Sequence, residues 1–340
     1  MSIKIAVIGA TGIVGSIFLE ILSESDMKIE RVDAVASSVG SHVSFGDKDV
    51  PVQAVESYNF SSVDVVIFAT SADISRIYVP KALKAGCFVI DKSSLYRLEK
   101  NIPLVVPEVN GDDVDWEVSK LIANPNCMTT AIVMALKPLQ TLSSIKRVVA
   151  TTFQSTSGAG RKAMDELFQQ TRGVFMGSDP TLESFPKQIA FNVIPQIDDI
   201  DEKSGDTEEE RKISAEAQKI LGTHDLKITA TCVRTPVFIG HCAALNIEFE
   251  DDLGVSQIRS ALKSFPGVLV MDKREDGGYI TPQEASGENE VFISRIRKDQ
   301  TQDNTINLWL VCDNLRKGAA LNAYQILERI YEENFIPTAS

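Results

Sequence analysis

The sequence predicts an α/β protein of two domains: a parallel, doubly wound sheet first, then an α+β domain on a largely antiparallel or mixed sheet. Three observations predict it. At 340 residues the chain is longer than one ordinary hydrophobic core supports. Up to Cys127, short apolar runs alternate with amphipathic helical patterns, the rhythm of strands joined by crossover helices. Beyond Cys127 the apolar runs lengthen, several alternate in polarity, and fewer helices separate them.

The first strand is Ile3–Ile8, a short apolar run. After it Val14, Ile17, Phe18, Ile21 and Leu22 recur at the i, i+3, i+4, i+7, i+8 spacing of a buried helix face. Arg31–Ala36, Val63–Ala69 and Phe88–Ile90 are further buried strands, with a helix over Ser75–Ala85 that Gly86 ends. Lys120–Ala123 closes a strand, and an apolar helix runs from Thr129 to Leu142. Ile145–Gln154, Leu226–Arg234, Ala243–Phe249, Val291–Arg297 and Thr305–Cys312 supply the second sheet. Thr207-Glu208-Glu209-Glu210 is a capping box opening a helix that stops at Gly222. The charge-rich stretch Asp198–Arg211 is expected to be a solvated surface excursion. A last helix runs from about Arg316 to Glu333.

Composition excludes several classes. A formal net charge of -13 argues against nucleic acid or an anionic membrane as main partner, while local arginines can still bind a small anion. Five cysteines without a CxxC pair fit neither a disulfide framework nor a zinc site, and no metal is expected. That cysteine usage, an N-terminus without a basic region or cleavage site, and the lack of any apolar run of membrane-spanning length predict a cytoplasmic protein.

Gly9-Ala10-Thr11-Gly12-Ile13-Val14-Gly15 follows a strand and opens a helix, the context a phosphate-binding loop requires. Gly9 permits the tight turn, Gly12 lets backbone approach a pyrophosphate, and Gly15 allows close helix–strand packing. The spacing GxxGxxG is a variant of the dinucleotide fingerprint, and a strand–turn–helix with structural glycines is the alternative. Gly9, Thr11, Gly12, Ile13, Val14 and Gly15 are the candidate cofactor contacts. An NAD-binding domain would end its second strand in a carboxylate. Here the strand ends Val35-Ala36-Ser37-Ser38, and the hydroxyls of Ser37 and Ser38 favour the 2′-phosphate of NADP.

Asn124-Pro125-Asn126-Cys127 turns from strand to helix and so places Cys127 at a helix N-terminus, where peptide dipoles and free N–H groups favour thiolate. A small buried cysteine is the alternative. Of three histidines, His42 and His224 sit in polar loop contexts, whereas His241 follows Arg234-Thr235-Pro236-Val237-Phe238-Ile239-Gly240 at a strand start. Histidine is the usual acid/base partner of a reactive cysteine. Gln154 ends a strand and runs into Ser155-Thr156-Ser157-Gly158-Ala159-Gly160, a turn that exposes N–H groups to a ligand or is simply a loop. Glu216, between Ile213 and Ile220 at helical spacing, faces the protein, with Lys219 at i+3; a salt bridge is the alternative.

Taken as an ordered set, these residues and the closing Asp313-Asn314-Leu315-Arg316-Lys317-Gly318-Ala319-Ala320 resemble the aspartate-β-semialdehyde dehydrogenase family over essentially the full length. The resemblance implies a Rossmann-type NADP-binding domain over residues 1–128 with 315–337, to which the C-terminal helix returns. It implies a glyceraldehyde-3-phosphate-dehydrogenase-like catalytic and dimerisation domain over 129–314, and a homodimer. The implied reaction makes L-aspartate semialdehyde from L-4-aspartyl phosphate and NADPH, feeding lysine, methionine and threonine synthesis. Cys127 is then the nucleophile, His241 the acid/base, and Gln154 the residue that orients the acyl-enzyme. Arg234 takes the substrate carboxylate and Glu216 its amine; Arg97, Asn126 and Lys219 hold phosphate. Ser157, Gly158 and Asn314 lie near the nicotinamide end.

The sequence departs from the family at Met128, where serine or threonine is usual, and at Lys92, where asparagine is common. The Ser37–Ser41 stretch is shorter than usual and lacks the frequent arginine. The nearest enzymatic rival, N-acetyl-γ-glutamyl-phosphate reductase, acts on a substrate without a free amine and would give an inward Glu216 no purpose. A non-catalytic dinucleotide-binding relative would have lost Cys127 or His241, and both are present.

Overall fold

The structure, a computed structural model, describes residues 2–37 and 40–336. The chain divides into two compact units: residues up to Pro125 together with those from Ala319 onward, and Asn126–Gly318.

The first unit contains β1 (Ile3–Ile8), α1 (Ile13–Ser23), β2 (Ile29–Ala36), β3 (His42–Phe45), β4 (Lys48–Ala54), β5 (Val65–Phe68), α2 (Ala72–Lys84), β6 (Phe88–Asp91), the short α3 (Pro107–Asn110) and β7 (Leu121–Ala123). Its seven-stranded sheet runs β3-β4-β2-β1-β5-β6-β7, parallel except between β3 and β4. Successive residues of β1 serve opposite faces. Ile3, Ile5 and Val7 join Phe18, Leu19 and Leu22 of α1 and Ile326, Leu327 and Ile330 of the chain's last helix, Leu321–Phe335. Ala6 and Ile8 join Tyr78, Val79 and Ala82 of α2. A parallel strand covered on both faces is apolar on both, and in this one only the half-buried Lys4 interrupts the run. Each fully buried Ile, Leu or Phe here is worth roughly 1.5–3 kcal/mol over its exposed state.

The β3–β4 hairpin has no counterpart among the predicted strands. It lies at the sheet edge and is half exposed, so its polar residues hide it; His42 begins β3 and is not in a loop.

The second unit contains α4 (Cys127–Gln140), β8 (Ile145–Gln154), α5 (Arg161–Met176), α6 (Glu208–Leu221), β9 (Lys227–Arg234), β10 (His241–Phe249), α7 (Val255–Ser264), β11 (Val268–Val270), the short α8 (Pro282–Ala285), β12 (Val291–Lys298) and β13 (Thr305–Cys312). Its six-stranded sheet runs β11-β12-β13-β10-β8-β9 and is mixed: β8–β9 and β11–β12 are parallel, the rest antiparallel. Helix α4 is apolar nearly all round and buried from Met128 to Leu136, the pattern of a core helix. It packs on β8, β12 and β13 and against α6 and α7. Met128 is fully buried in this core.

Candidate active site

Strand register assembles the site. Gln154 at the end of β8 pairs with Arg234 at the end of β9. On the other side Phe153 pairs with Cys242, so His241 continues the row opposite Gln154, and His241 itself pairs with Cys312 of β13. Paired residues share a sheet face. Arg234, Gln154, His241 and Cys312 thus form one row across four strands, all buried.

Cys127 is the first residue of α4, half-buried, with Asn126 as N-cap. Asn126 Oδ1 accepts the N–H groups of Met128 at 2.9 Å and Thr129 at 3.1 Å. The N–H groups expected to be free around the thiol are therefore partly closed by this cap, and the helix dipole remains. Asn126 Nδ2 donates to both carboxylate oxygens of Glu209, at 3.0 and 2.9 Å. The side chain expected to hold phosphate is thus engaged at both ends within the protein, and its geometry is that of a cap. On the other side of the thiol, a Cβ on Gly318 would lie 2.8 Å from Cys127 Cβ, so only glycine fits there.

Helix α6 opens with the predicted capping box, Thr207 Oγ1 accepting from Glu210 N and Glu210 Oε2 accepting from Thr207 N. The charge-rich stretch is not solvated throughout, because Glu209 is 4% exposed. Besides Asn126, Glu209 accepts a hydrogen bond from Gln154 Nε2 at 2.9 Å, while Gln154 Oε1 accepts from Thr152 Oγ1 at 2.9 Å. Gln154 is therefore fixed at both ends and keeps one N–H for a ligand. Glu216, also fully buried, accepts the backbone N–H of Asn126 at 2.7 Å through Oε2. Lys219, one turn on, is half-buried.

His241 Nδ1 lies 3.1 Å from Ser155 N and 3.0 Å from Ser155 Oγ, while Nε2 is buried without a partner. Burial, and next the positive charge of Arg234, push the imidazole pKa well below 6.5, so the ring is neutral. Arg234 Nη1 donates to Ser155 O at 2.7 Å. Burial lowers the Arg234 pKa, against the charges of Glu209 and Cys127, which raise it. A Cβ on Gly158 would sit 2.9 Å from Arg234 Nη1 and 3.0 Å from His241 Nε2. Glycine there keeps the space before both groups open. Ser157 Oγ and Asn314 are hydrogen-bonded to each other at 3.0–3.1 Å, and Asn314 Oδ1 also accepts from Gly240 N.

In the first unit, Gly9 has φ +89°, and a Cβ on Gly15 would lie 2.2 Å from Gly9 O. Helix α1 starts at Ile13 with Gly12 as N-cap, no side-chain cap and no acidic residue in its first turn. No carboxylate of the first turn competes for the N–H groups of Ile13, Val14 and Gly15, and Thr11 is exposed beside them. Thr70 Oγ1, next to Gly9, is buried without a partner. These residues fit a dinucleotide pyrophosphate. Asp33 lies inside β2 and is held by Tyr58 OH at 2.7 Å. Ser37 is exposed, and Ser38 lies outside the described residues. Arg97 donates to the carbonyls of Asn124 at 3.0 Å and Lys92 at 2.8 Å.

Glu209, Ser155 and Gly318 are the site residues not singled out from sequence. Among the described residues no cluster of His, Cys, Asp and Glu could hold a metal, and no helix is long and apolar enough to cross a membrane.

The family model "Semialdehyde dehydrogenase, NAD binding domain" matches residues 4–116, and "Semialdehyde dehydrogenase, dimerisation domain" matches residues 136–317. The chain is 46% identical over 330 residues to an aspartate-semialdehyde dehydrogenase of Rickettsia conorii, covering 96% of this chain and 97% of the relative. It is similar to the solved aspartate semialdehyde dehydrogenase II of Vibrio cholerae complexed with ASA, with TM-score 0.94 and 38% identity over 99% of this chain and 100% of that one. For aspartate semialdehyde dehydrogenase with NADP from Candida albicans, the TM-score is 0.76 and the identity 25%, over 99% and 100% of the two chains.

Proposed function

The chain belongs to the aspartate-semialdehyde dehydrogenase family, and on that premise we propose that it converts L-4-aspartyl phosphate to L-aspartate 4-semialdehyde with NADPH, through a thioester on Cys127. This is a step toward lysine, methionine and threonine. The reading is carried by the buried row of Arg234, Gln154 and His241, with Cys127 at the head of α4 in the same unit.

The chemistry follows from these groups. Cys127 Sγ attacks the acyl carbon; a C–S bond replaces the C–O bond, and phosphate leaves with that electron pair. The nicotinamide cofactor, when bound, supplies the hydride that reduces the thioester carbon. His241 serves the acyl oxygen as acid/base, and breakage of the C–S bond returns the thiolate and frees the aldehyde. The planar fork of Arg234 pairs with the substrate carboxylate at two points. Glu216 faces the ammonium, Gln154 aims the acyl group, and Arg97 and Lys219 meet phosphate.

NADP is preferred to NAD in this reading because no carboxylate stands at the tip of β2, where Ala36 leads into the exposed Ser37. Gly9 to Gly15 take the pyrophosphate; Ser157, Gly158 and Asn314 are the proposed contacts at the nicotinamide end. A homodimer is part of the same proposal. It is supported by the half-exposed sheet face carrying Phe153 and Trp309, and by exposed Phe175 and Phe191, whose rings meet edge to face at 5.7 Å. A cytoplasmic location accords with five free cysteines.

Reduction of NADP in the presence of aspartate semialdehyde and phosphate tests the reaction. It should require phosphate and vanish in Cys127→Ala. Turnover without phosphate, or faster turnover of an N-acylated semialdehyde, would overturn the assignment.

A further inference from the structure

The two ring nitrogens of His241 have unlike surroundings. The backbone N–H of Ser155 points at Nδ1 from 3.1 Å. A peptide N–H only donates, so the nitrogen it meets presents its lone pair and carries no proton. The side chains around it can run in the same sense. Gly240 N–H fixes the Asn314 amide through Oδ1 at 3.0 Å, which turns Nδ2 toward Ser157 Oγ at 3.0 Å. Ser157 Oγ is 2.9 Å from Ser155 Oγ, and Ser155 Oγ is 3.0 Å from Nδ1; that hydroxyl also reaches Asn314 Oδ1 at 3.1 Å, so it serves either sense and the peptide N–H alone sets the tautomer. The remaining proton of a neutral imidazole then sits on Nε2, the atom that faces the space before Gly158 and has no partner in the protein.

We infer that Ser155 is a positioning residue whose backbone amide locks His241 in the Nε2–H tautomer, so that the ring meets the reacting oxygen as a hydrogen-bond donor and not as a base. The inference rests on the proposed reaction and narrows the acid/base role given to His241 there. The electron count permits it. As hydride reaches the thioester carbon, the C=O electron pair moves onto oxygen, where Nε2–H stabilises it. When that pair re-forms C=O, the C–S pair leaves with sulfur. No proton has to change hands. A second protonation of the ring is opposed by burial and by Arg234 of the same row, which outweigh the Gly240 backbone that favours it.

Nitrogen-15 NMR of histidine-labelled protein reads the tautomer directly. With three histidines in the chain, the His241→Asn variant assigns the signals. In the resting protein near neutral pH, His241 should show a directly bound proton on Nε2 and an unprotonated Nδ1. Ser155→Ala keeps the peptide N–H and loses only the hydroxyl, so the tautomer should persist. A proton on Nδ1 in the parent protein, or a switch to Nδ1 in Ser155→Ala, would overturn the inference. The tautomer is read without substrate or cofactor. An inactive protein with the Nε2–H ring sinks the proposed reaction and leaves the lock standing; an active enzyme with Nδ1–H does the reverse.

Discussion

Helices α1 and α4 each begin a few residues after a strand of the parallel sheet, yet their first turns are finished in opposite ways. Gly12 caps α1 without a side chain, so no capping side chain occupies the first-turn N–H groups. Asn126 caps α4 with Oδ1 on two N–H groups and is itself anchored by Glu209. An open N-terminus is an anion site for a ligand that arrives from outside. A closed one still carries its dipole, which acts on the side chain of its own first residue, here Cys127. The cap decides whether the same backbone feature binds a phosphate or tunes a thiol.

Four substitutions and conditions separate the two ends. His241→Asn acts on the α4 side alone and should cut turnover by roughly 10²–10⁴-fold, the contribution of a positioned acid/base or donor. NADP binding, followed by fluorescence titration, should be unchanged; an equal loss in both would mean that the variant damages the fold. Asn126→Ala removes the α4 cap and leaves buried N–H groups unsatisfied, a loss of roughly 2–4 kcal/mol. Urea midpoints should fall accordingly, and an unchanged midpoint would show that the cap is dispensable.

The third concerns pH. The folded pKa of His241 lies below its unfolded value of about 6.5, so the unfolded chain takes up the proton first as pH falls. Stability linked to this residue is therefore complete above that value and declines below it, by up to about 1.4 kcal/mol per pH unit, until the folded pKa is reached. Between about pH 7 and about pH 5.5, the parent protein should lose more stability than His241→Asn, and equal losses would contradict a buried neutral ring. Smallest is Gly12→Ser, which gives α1 the cap it lacks. A Cβ there meets Gly9 O at 3.2 Å, so it fits with a slight shift. The chain should gain a few tenths of a kcal/mol at most and bind NADP more weakly, because the hydroxyl competes for the N–H groups. Undiminished binding would remove α1 as the anion site.

Periodicity made the parallel sheet legible because β1, β5 and β6 are covered on both faces, with Lys4 and the closing Asp91 the charged residues among them. The β3–β4 hairpin was not, since an exposed edge needs no apolar pattern. Cys127 was placed by its turn and His241 by Gly240, but the row that joins Gln154, Arg234 and His241 exists only through strand register, which a single sequence does not specify. Glu209 vanished into a run of three glutamates. Its helical phase with Ile213, Glu216 and Ile220, all buried on one face of α6, was the signal that could have found it. Ser155 acts through its peptide N–H, which every residue but proline has, so nothing in its identity could announce the role.

The central claim is that Cys127, at the head of α4, is the reactive thiol of this chain. The other four cysteines are buried, which pushes Cys87 up to about 11 and Cys242 up to about 12, and raises Cys232 and Cys312 as well. Brief iodoacetamide treatment of the folded protein at neutral pH, followed by mass-spectrometric mapping, tests the claim directly. Label should appear at Cys127 first and in step with the loss of activity. Label on any other cysteine while activity disappears and Cys127 stays unmodified would contradict it.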